Sequence, residues 1–222
     1  MKIIELNKAG TASNDRDADI LRCELREKGV FLINLMSSAG SGKTTLLSRI
    51  ITDLRDRVKI GVMEADIASD VDALTIESLG AMSIQVHTGG ACHMDASMTR
   101  EALDEFGKDC GLPPVIFLEN VGNLICPAEF DTGAHRKIMI LSLTEGDDKP
   151  LKYPLMFQES DALVITKTDA ADYFDFDISA AERRAKALNP SIKVFPVSAK
   201  RGDGMKELEE WIIGEWTGWK NA

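Results

Sequence analysis

The sequence predicts an α/β fold, with a doubly wound, mostly parallel sheet of about seven strands flanked by helices. Three observations carry that prediction. Short, near-continuous apolar runs recur along the chain and suit strands buried on both faces. Stretches of helical periodicity separate most of them. A glycine-rich turn joins the first run to a helical stretch.

In chain order, residues 14–28 read as an N-terminal helix, acidic early and stopped by Gly29. The predicted strands are residues 30–36 (VFLINLM), 59–66 (KIGVMEAD), 83–88 (SIQVHT), 115–120 (VIFLEN), 137–144 (KIMILSLT), 162–167 (ALVITK) and 193–199 (KVFPVSA). Helical patterns cover residues 43–56, 71–79, 96–106, 178–188 and 205–216. No repeat or long linker divides the chain, so residues 1–222 read as one domain.

Apolar residues make up 44% of the 222 and charged residues 28%, ample for a core. The net charge of -10 argues against sequence-independent nucleic-acid binding and against an anionic membrane surface, since both need a basic face. No apolar run reaches membrane-spanning length, and the opening MKIIELNKAG lacks a secretory hydrophobic region. The expected location is cytoplasmic, where Cys23, Cys92, Cys110 and Cys126 would stay reduced.

In such sheets ligands bind beyond the carboxyl ends of the strands, and the chemistry-bearing motifs fall there. SSAGSGKTT (residues 37–45) follows the first strand and opens a helix, which is the context of a phosphate-binding P-loop. Gly40, Ser41 and Gly42 would cradle phosphate oxygens with backbone N–H groups, aided by the helix N-terminus. Lys43 would reach the β- and γ-phosphates, and Thr44, followed by Thr45, would place its hydroxyl on Mg²⁺. Ser37 occupies the first glycine position of the pattern.

VITKTD ends the sixth strand and resembles the Asn-Lys-x-Asp guanine motif of GTPases, with Thr166 in the Asn place. Guanine presents two adjacent donors that the Asp169 carboxylate can accept as a charged fork, while adenine offers an acceptor there. The stem of Lys167 would cover the base. Ser198, Ala199 and Lys200, after the seventh strand, resemble the Ser-Ala-Lys loop whose backbone N–H meets the guanine carbonyl. The expected nucleotide is GTP.

The second strand ends in MEADIASDVDA. Asp66 stands first beyond it and would face Mg²⁺ or the attacking water, while Asp70 also fits a helix cap, with Asp72 nearby. Glu119 and Gly122 have the Asp-x-x-Gly spacing of a GTPase switch. Glu119 would hold Mg²⁺ through water or assist hydrolysis, and the Gly122 N–H would sense the γ-phosphate. With no evident water-positioning Gln or Arg finger, intrinsic turnover is expected to be slow.

Together with GGACHMDASM, ENVGNLICPAEFD and TEGDDKPLKYPLMF, these motifs resemble the hydrogenase nickel-incorporation GTPases, the HypB family, over nearly the whole chain from residue 30. The resemblance implies a P-loop NTPase fold and a GTP-dependent homodimer that helps deliver nickel to the large subunit of [NiFe]-hydrogenase. It also implies work beside a zinc- and nickel-binding partner of the HypA type. The related urease accessory GTPase, UreG, places a proline between its Cys and His. Here Cys92 and His93 adjoin, which favours the hydrogenase branch. Ser37, Ala39 and Thr166 depart from the commonest motif forms and bear on nucleotide affinity more than on fold. With three histidines and no Cys-rich or His-rich opening segment, the chain is not expected to store nickel.

Cys92, His93 and Cys126 are soft or borderline ligands that suit Zn²⁺ or Ni²⁺. Neighbouring residues on a regular strand point oppositely, so Cys92 and His93 meet one ion only in a bent segment, which Gly89-Gly90 permits. Water or a second subunit would complete a four-coordinate site. The alternative is that both cysteines are buried thiols and His93 a hydrogen-bonded loop residue. Cys23 and Cys110 read as structural or incidental. Two other readings compete: a P-loop kinase acting on a small molecule, and a structural zinc dimer whose nucleotide site is vestigial.

Overall fold

The computed structural model describes residues 8–65 and 75–222, with side chains from residue 11. Its centre is a seven-stranded sheet: β1 (Phe31–Ser37), β2 (Ile60–Glu64), β3 (Met82–Gln85), β4 (Val115–Glu119), β5 (Arg136–Ser142), β6 (Ala162–Thr166) and β7 (Lys193–Pro196). The order is β3-β2-β4-β1-β5-β6-β7, and every neighbouring pair is parallel. The sequence expectation of a mostly parallel sheet is met in the stricter form. β2 and β3 stop short of the predicted ends, at Glu64 and Gln85, and β5 passes at Ser142 into a 3₁₀ turn, Leu143–Glu145.

The strand residues explain the layering. β1, β2, β4, the last five residues of β5, and β6 are buried along their length, and their side chains alternate between two covered faces. Phe31, Ile33 and Leu35 face α2 (Lys43–Leu54), which buries Leu46, Leu47, Ile50, Ile51 and Leu54. The C-terminal helix, Met205–Asn221, joins that face through Leu208 and Ile212. Leu32 turns to the other face, under Leu21 and Leu25 of α1 (Lys8–Glu27) and Leu103 and Phe106 of α3 (Ala96–Phe106). Over β5 and β6 that face is covered by α6 (Pro154–Gln158) and α7 (Ile178–Leu188).

α1 begins six residues before the predicted start and ends one residue before the predicted stop. Among the described residues, three short helices lie where the sequence shows no period: α4 (Cys126–Glu129), α5 (Lys149–Lys152) and α6, each with a proline in its first turn. α4 follows the switch segment and packs on α6, which packs on α5 in turn. No helix among the described residues is long and apolar enough to cross a membrane.

Candidate functional site

All the sequence-predicted site residues that the structure describes lie at the carboxyl ends of the strands. The loop after β1 bends through Gly40 and Gly42, with φ of 74° and 95°, and Gly42 caps α2 with no side-chain bond. The N-terminus of α2 turns the positive end of its dipole toward the loop, which favours a phosphate there. Lys43 is buried at the start of α2, with Thr44 and Thr45 behind it. Ser37 does more than fill a glycine position. Its hydroxyl accepts from Ser41 Oγ at 2.8 Å and donates to the Ser38 carbonyl at 2.8 Å. Ser38 in turn donates to Glu145, which closes a capping box on Ser142 and so ties the TEGDD segment to the loop.

A cavity of about 270 Å³ opens beside this loop, lined by Gly42, Thr45, Lys167, Asp169, Ala199 and Lys200. Lys167 sits in the left-handed region (φ 63°), which lets its Nζ donate to the Gly40 carbonyl at 2.8 Å. Thr166 spans to the phosphate loop as well: its hydroxyl donates to the Ser41 carbonyl at 2.7 Å. The single hydroxyl thus braces the two loops without the amide that commonly stands there. Ser198 Oγ donates to Asp169 Oδ1 at 2.7 Å and holds that carboxyl below its usual range, so it stays ionised. Arg49 of α2 supports the loop from beneath, donating to the Ala199 carbonyl at 3.4 Å while anchored on Asp53.

Across the sheet, Glu119 closes β4 and is 4% exposed. Its register partner is Glu64 of β2, 3% exposed. Neighbouring strands in register turn these two side chains to the same face, so two carboxylates meet at the phosphate end. The sequence reading missed Glu64. A charged residue ending an otherwise apolar run was the available signal, because Glu is rarely buried without a role. Asp66, Asp70 and Asp72 lie outside the described residues. Gly122 follows Glu119 and presses on the phosphate loop. A Cβ there would lie 3.0 Å from Ala39 N and 3.1 Å from its Cα, so only glycine fits without displacement.

Cys92, His93 and Cys126 converge as a trio whose ligand atoms all lie within 4.8 Å of one another. Gly89 and Gly90, at φ 64° and 91°, make the bend that adjacent ligands require. The Cys92 thiol donates to Cys126 Sγ at 2.9 Å. Two thiolates on a tetrahedral ion with bonds of about 2.3 Å stand ~3.8 Å apart, so an opening of about 1 Å admits Zn²⁺ or Ni²⁺. His93 stacks on Phe130, with centroids 4.0 Å apart. Burial holds its imidazole below the usual range, against the pull of Asp95 and Glu129, which favours the neutral, ligating form. The neighbouring Cys92 thiol, then burial, raises the Cys126 thiol. All four cysteines are free, and Cys23 and Cys110 are exposed away from the trio.

Two asparagines that the sequence reading passed over link the switch to this trio. Asn120 Oδ1 accepts from the Met94 N–H at 3.1 Å, and its Nδ2 donates to Asn34 Oδ1 at 3.2 Å inside the sheet. Asn123 Nδ2 donates to the Cys92 carbonyl at 3.4 Å, while its Oδ1 accepts from Ile125 N at 2.8 Å. The side chains on either side of Gly122, Asn120 and Asn123, thus tie the switch to the Cys92–Met94 segment.

Residues 31–196 match the family model "CobW/HypB/UreG, nucleotide-binding domain". The chain is 42% identical over 211 residues to a hydrogenase maturation factor HypB of Rhizobium leguminosarum bv. viciae, covering 95% of this chain and 70% of that one. The solved structure of HypB from Helicobacter pylori in complex with nickel superposes with a TM-score of 0.87 at 35% identity, covering 93% of this chain and 96% of that one. The hydrogenase maturation factor HypB from Archaeoglobus fulgidus superposes at 0.85 with 36% identity, over 92% and 99% of the two chains.

Proposed function

The chain belongs to the CobW/HypB/UreG nucleotide-binding family, in its branch of HypB hydrogenase maturation factors, and from that premise we propose how its residues work. It is a GTPase of nickel-enzyme maturation: a metallochaperone that helps insert nickel into [NiFe]-hydrogenase, with its metal site and its dimerisation tied to GTP. The carrying observation is that Gly122 abuts Ala39 of the phosphate loop while Asn120 and Asn123, on either side of it, hydrogen-bond the Cys92–Met94 segment of the trio.

In this reading GTP lies across the loop after β1. Lys43 and the N–H groups of residues 40–45 hold its phosphates, and Asp169 accepts the two guanine donors. Lys167 covers the base and Ala199 N–H meets its carbonyl. Thr44 and Glu119, with Asp66, would hold Mg²⁺, which neutralises the charge that builds on the phosphates in the transition state. Loss of the γ-phosphate releases the Gly122 N–H. Asn120 and Asn123 carry that displacement to Cys92 and Cys126. Nickel is the cargo of such a cycle, and Zn²⁺ is the other ion that the two thiols and one imidazole suit.

A homodimer fits the surface beside the trio. Ile125, Leu151 and Leu155 are exposed at 55%, 65% and 39% on α4, α5 and α6 and their approaches, and α4 packs on α6. A second copy there would cover these side chains and bring two trios together, supplying the ligands one chain lacks. Changing Leu151 and Leu155 together to serine removes about 3 kcal/mol of apolar burial. It is expected to weaken the dimer about a hundredfold, seen in sedimentation velocity of the GTP-analogue-bound protein. The further partners of this reading are a HypA-type protein and the hydrogenase large subunit, in the cytoplasm.

The test of the reaction is direct. The purified chain should release phosphate from GTP with no acceptor present, slowly, and from ATP at least about a thousandfold less efficiently. Nucleotide consumption only when a small-molecule acceptor is added would instead mark a kinase.

A further inference from the structure

We propose that Asn14 of α1 is a positioning residue for the metal trio, fastening together from outside the sheet the two segments that carry its ligands. The proposal rests on the metal reading above.

The need for such a fastener follows from topology. Cys92 and His93 follow β3, while Cys126 follows β4, and β2 runs between those strands. β2 ladders to each of them, but no ladder joins β3 to β4 directly, and beyond the strand ends side chains tie the two ligand-bearing loops together. Asn120 and Asn123 do so from the switch. On the other side stands α1, whose Asn14 is 8% exposed in mid-helix, where asparagine is a poor helix former and a buried amide is costly unless satisfied.

Its amide is satisfied once by each loop. Nδ2 donates to the Asp131 carbonyl at 2.9 Å, and Oδ1 accepts from the Ala96 N–H at 3.0 Å. Ala96 opens α3 three residues after His93. Asp131 adjoins Phe130, the ring on which His93 stacks. One planar group, with its donor and acceptor in fixed relation, thus sets the separation of the segments on either side of the His93–Phe130 contact. The Asp131 end is itself rigid, since its carboxylate takes Arg22 Nη1 at 3.0 Å and the Gly133 N–H at 2.9 Å. α1 does not depend on Asn14 to dock. Ala18, Leu21 and Leu25 are buried beneath it, and Glu24 pairs with Arg100 of α3 at 3.1 Å.

The experiment titrates Co²⁺ into the full-length chain, reading affinity and the thiolate-to-cobalt and d–d absorption bands. Asn14→Ala is expected to bind Co²⁺ about tenfold more weakly, the cost typical of groups that orient ligands without touching the ion, and to change the d–d envelope. Its affinity for guanine nucleotide should be unchanged. Glu24→Ala, which cuts the Glu24–Arg100 ion pair between α1 and α3, should lower the melting temperature yet leave the cobalt titration and spectrum as in wild type. The proposal is overturned if Asn14→Ala matches wild type in affinity and spectrum, or if Glu24→Ala loses cobalt equally, since that would be general loosening. Should the alanine chain not fold, Asn14→Asp decides in its place, because it keeps the acceptor toward Ala96 and loses the donor toward Asp131. A wild-type chain that takes up no cobalt overturns the metal reading and the fastener with it, whereas a binding wild type with an unaltered variant overturns the fastener alone.

Discussion

Replacing Asp169 by asparagine is expected to cut GTP affinity by about three orders of magnitude and to create a site for XTP. The argument is one of donor and acceptor count. Guanine offers a ring N–H and an exocyclic amine side by side, and an ionised carboxylate accepts both. The Ser198 hydroxyl already occupies one lone pair of Asp169 Oδ1 at 2.7 Å, which fixes the plane of the carboxylate without exhausting it. In the asparagine variant Ser198 still selects the oxygen, so the amide nitrogen faces the exocyclic position. There it meets the guanine amine donor to donor. Xanthine carries a carbonyl at that place and restores the pair. Competition of GTP and XTP against a fluorescent nucleotide measures both effects at once. Unchanged GTP affinity in the variant would remove Asp169 from the base site.

Cys92→Ala and Cys126→Ala are each expected to abolish tight Zn²⁺ or Ni²⁺ binding, with at least about a hundredfold loss per variant. Each removes a thiolate from a set that offers only two thiols and one imidazole per chain. Loss of one also removes the 2.9 Å contact that brings the second sulfur into place, so the two changes together should cost little more than either alone. Isothermal titration of metal into the apo proteins reads this out. The same proteins test the link to GTP. Coupling between the sites is reciprocal, so metal must change GTP affinity by the factor by which GTP changes metal affinity. In both variants that factor should fall to one. Metal affinity equal in the GDP and GTP-analogue forms of the wild type would sever the link while leaving the metal site itself intact.

Much of this protein was legible from contiguous residues. The phosphate loop, the Lys167–Asp169 motif, the Ser198–Lys200 loop and the switch are each read within ten residues, because backbone nests and strand-end side chains are local constructions. The apolar runs placed the strands, most plainly β1, β2, β4 and β6, where burial on both faces leaves a continuous signal. The bend at Gly89-Gly90 was readable because paired glycines admit the positive φ it uses. What the sequence left dark is what pairs residues across the fold. Glu64 meets Glu119 only because β2 and β4 are register neighbours. Thr166 replaces the bracing of an amide only because Ser41, far off in sequence, presents its carbonyl at 2.7 Å.

The amino-acid sequence by itself determined the fold class, the order of the nucleotide motifs and the identity of the trio. The tertiary structure alone decided how those parts are joined. Strand order sets β2 between the two ligand-bearing loops. Beyond the strand ends no ladder joins these loops directly, and the side chains of Asn14, Asn120 and Asn123 tie them together. Asparagine serves there because one short, rigid side chain carries both a donor and an acceptor. That choice is invisible in sequence, where an asparagine that joins two loops looks like any other polar residue until both partners are in place.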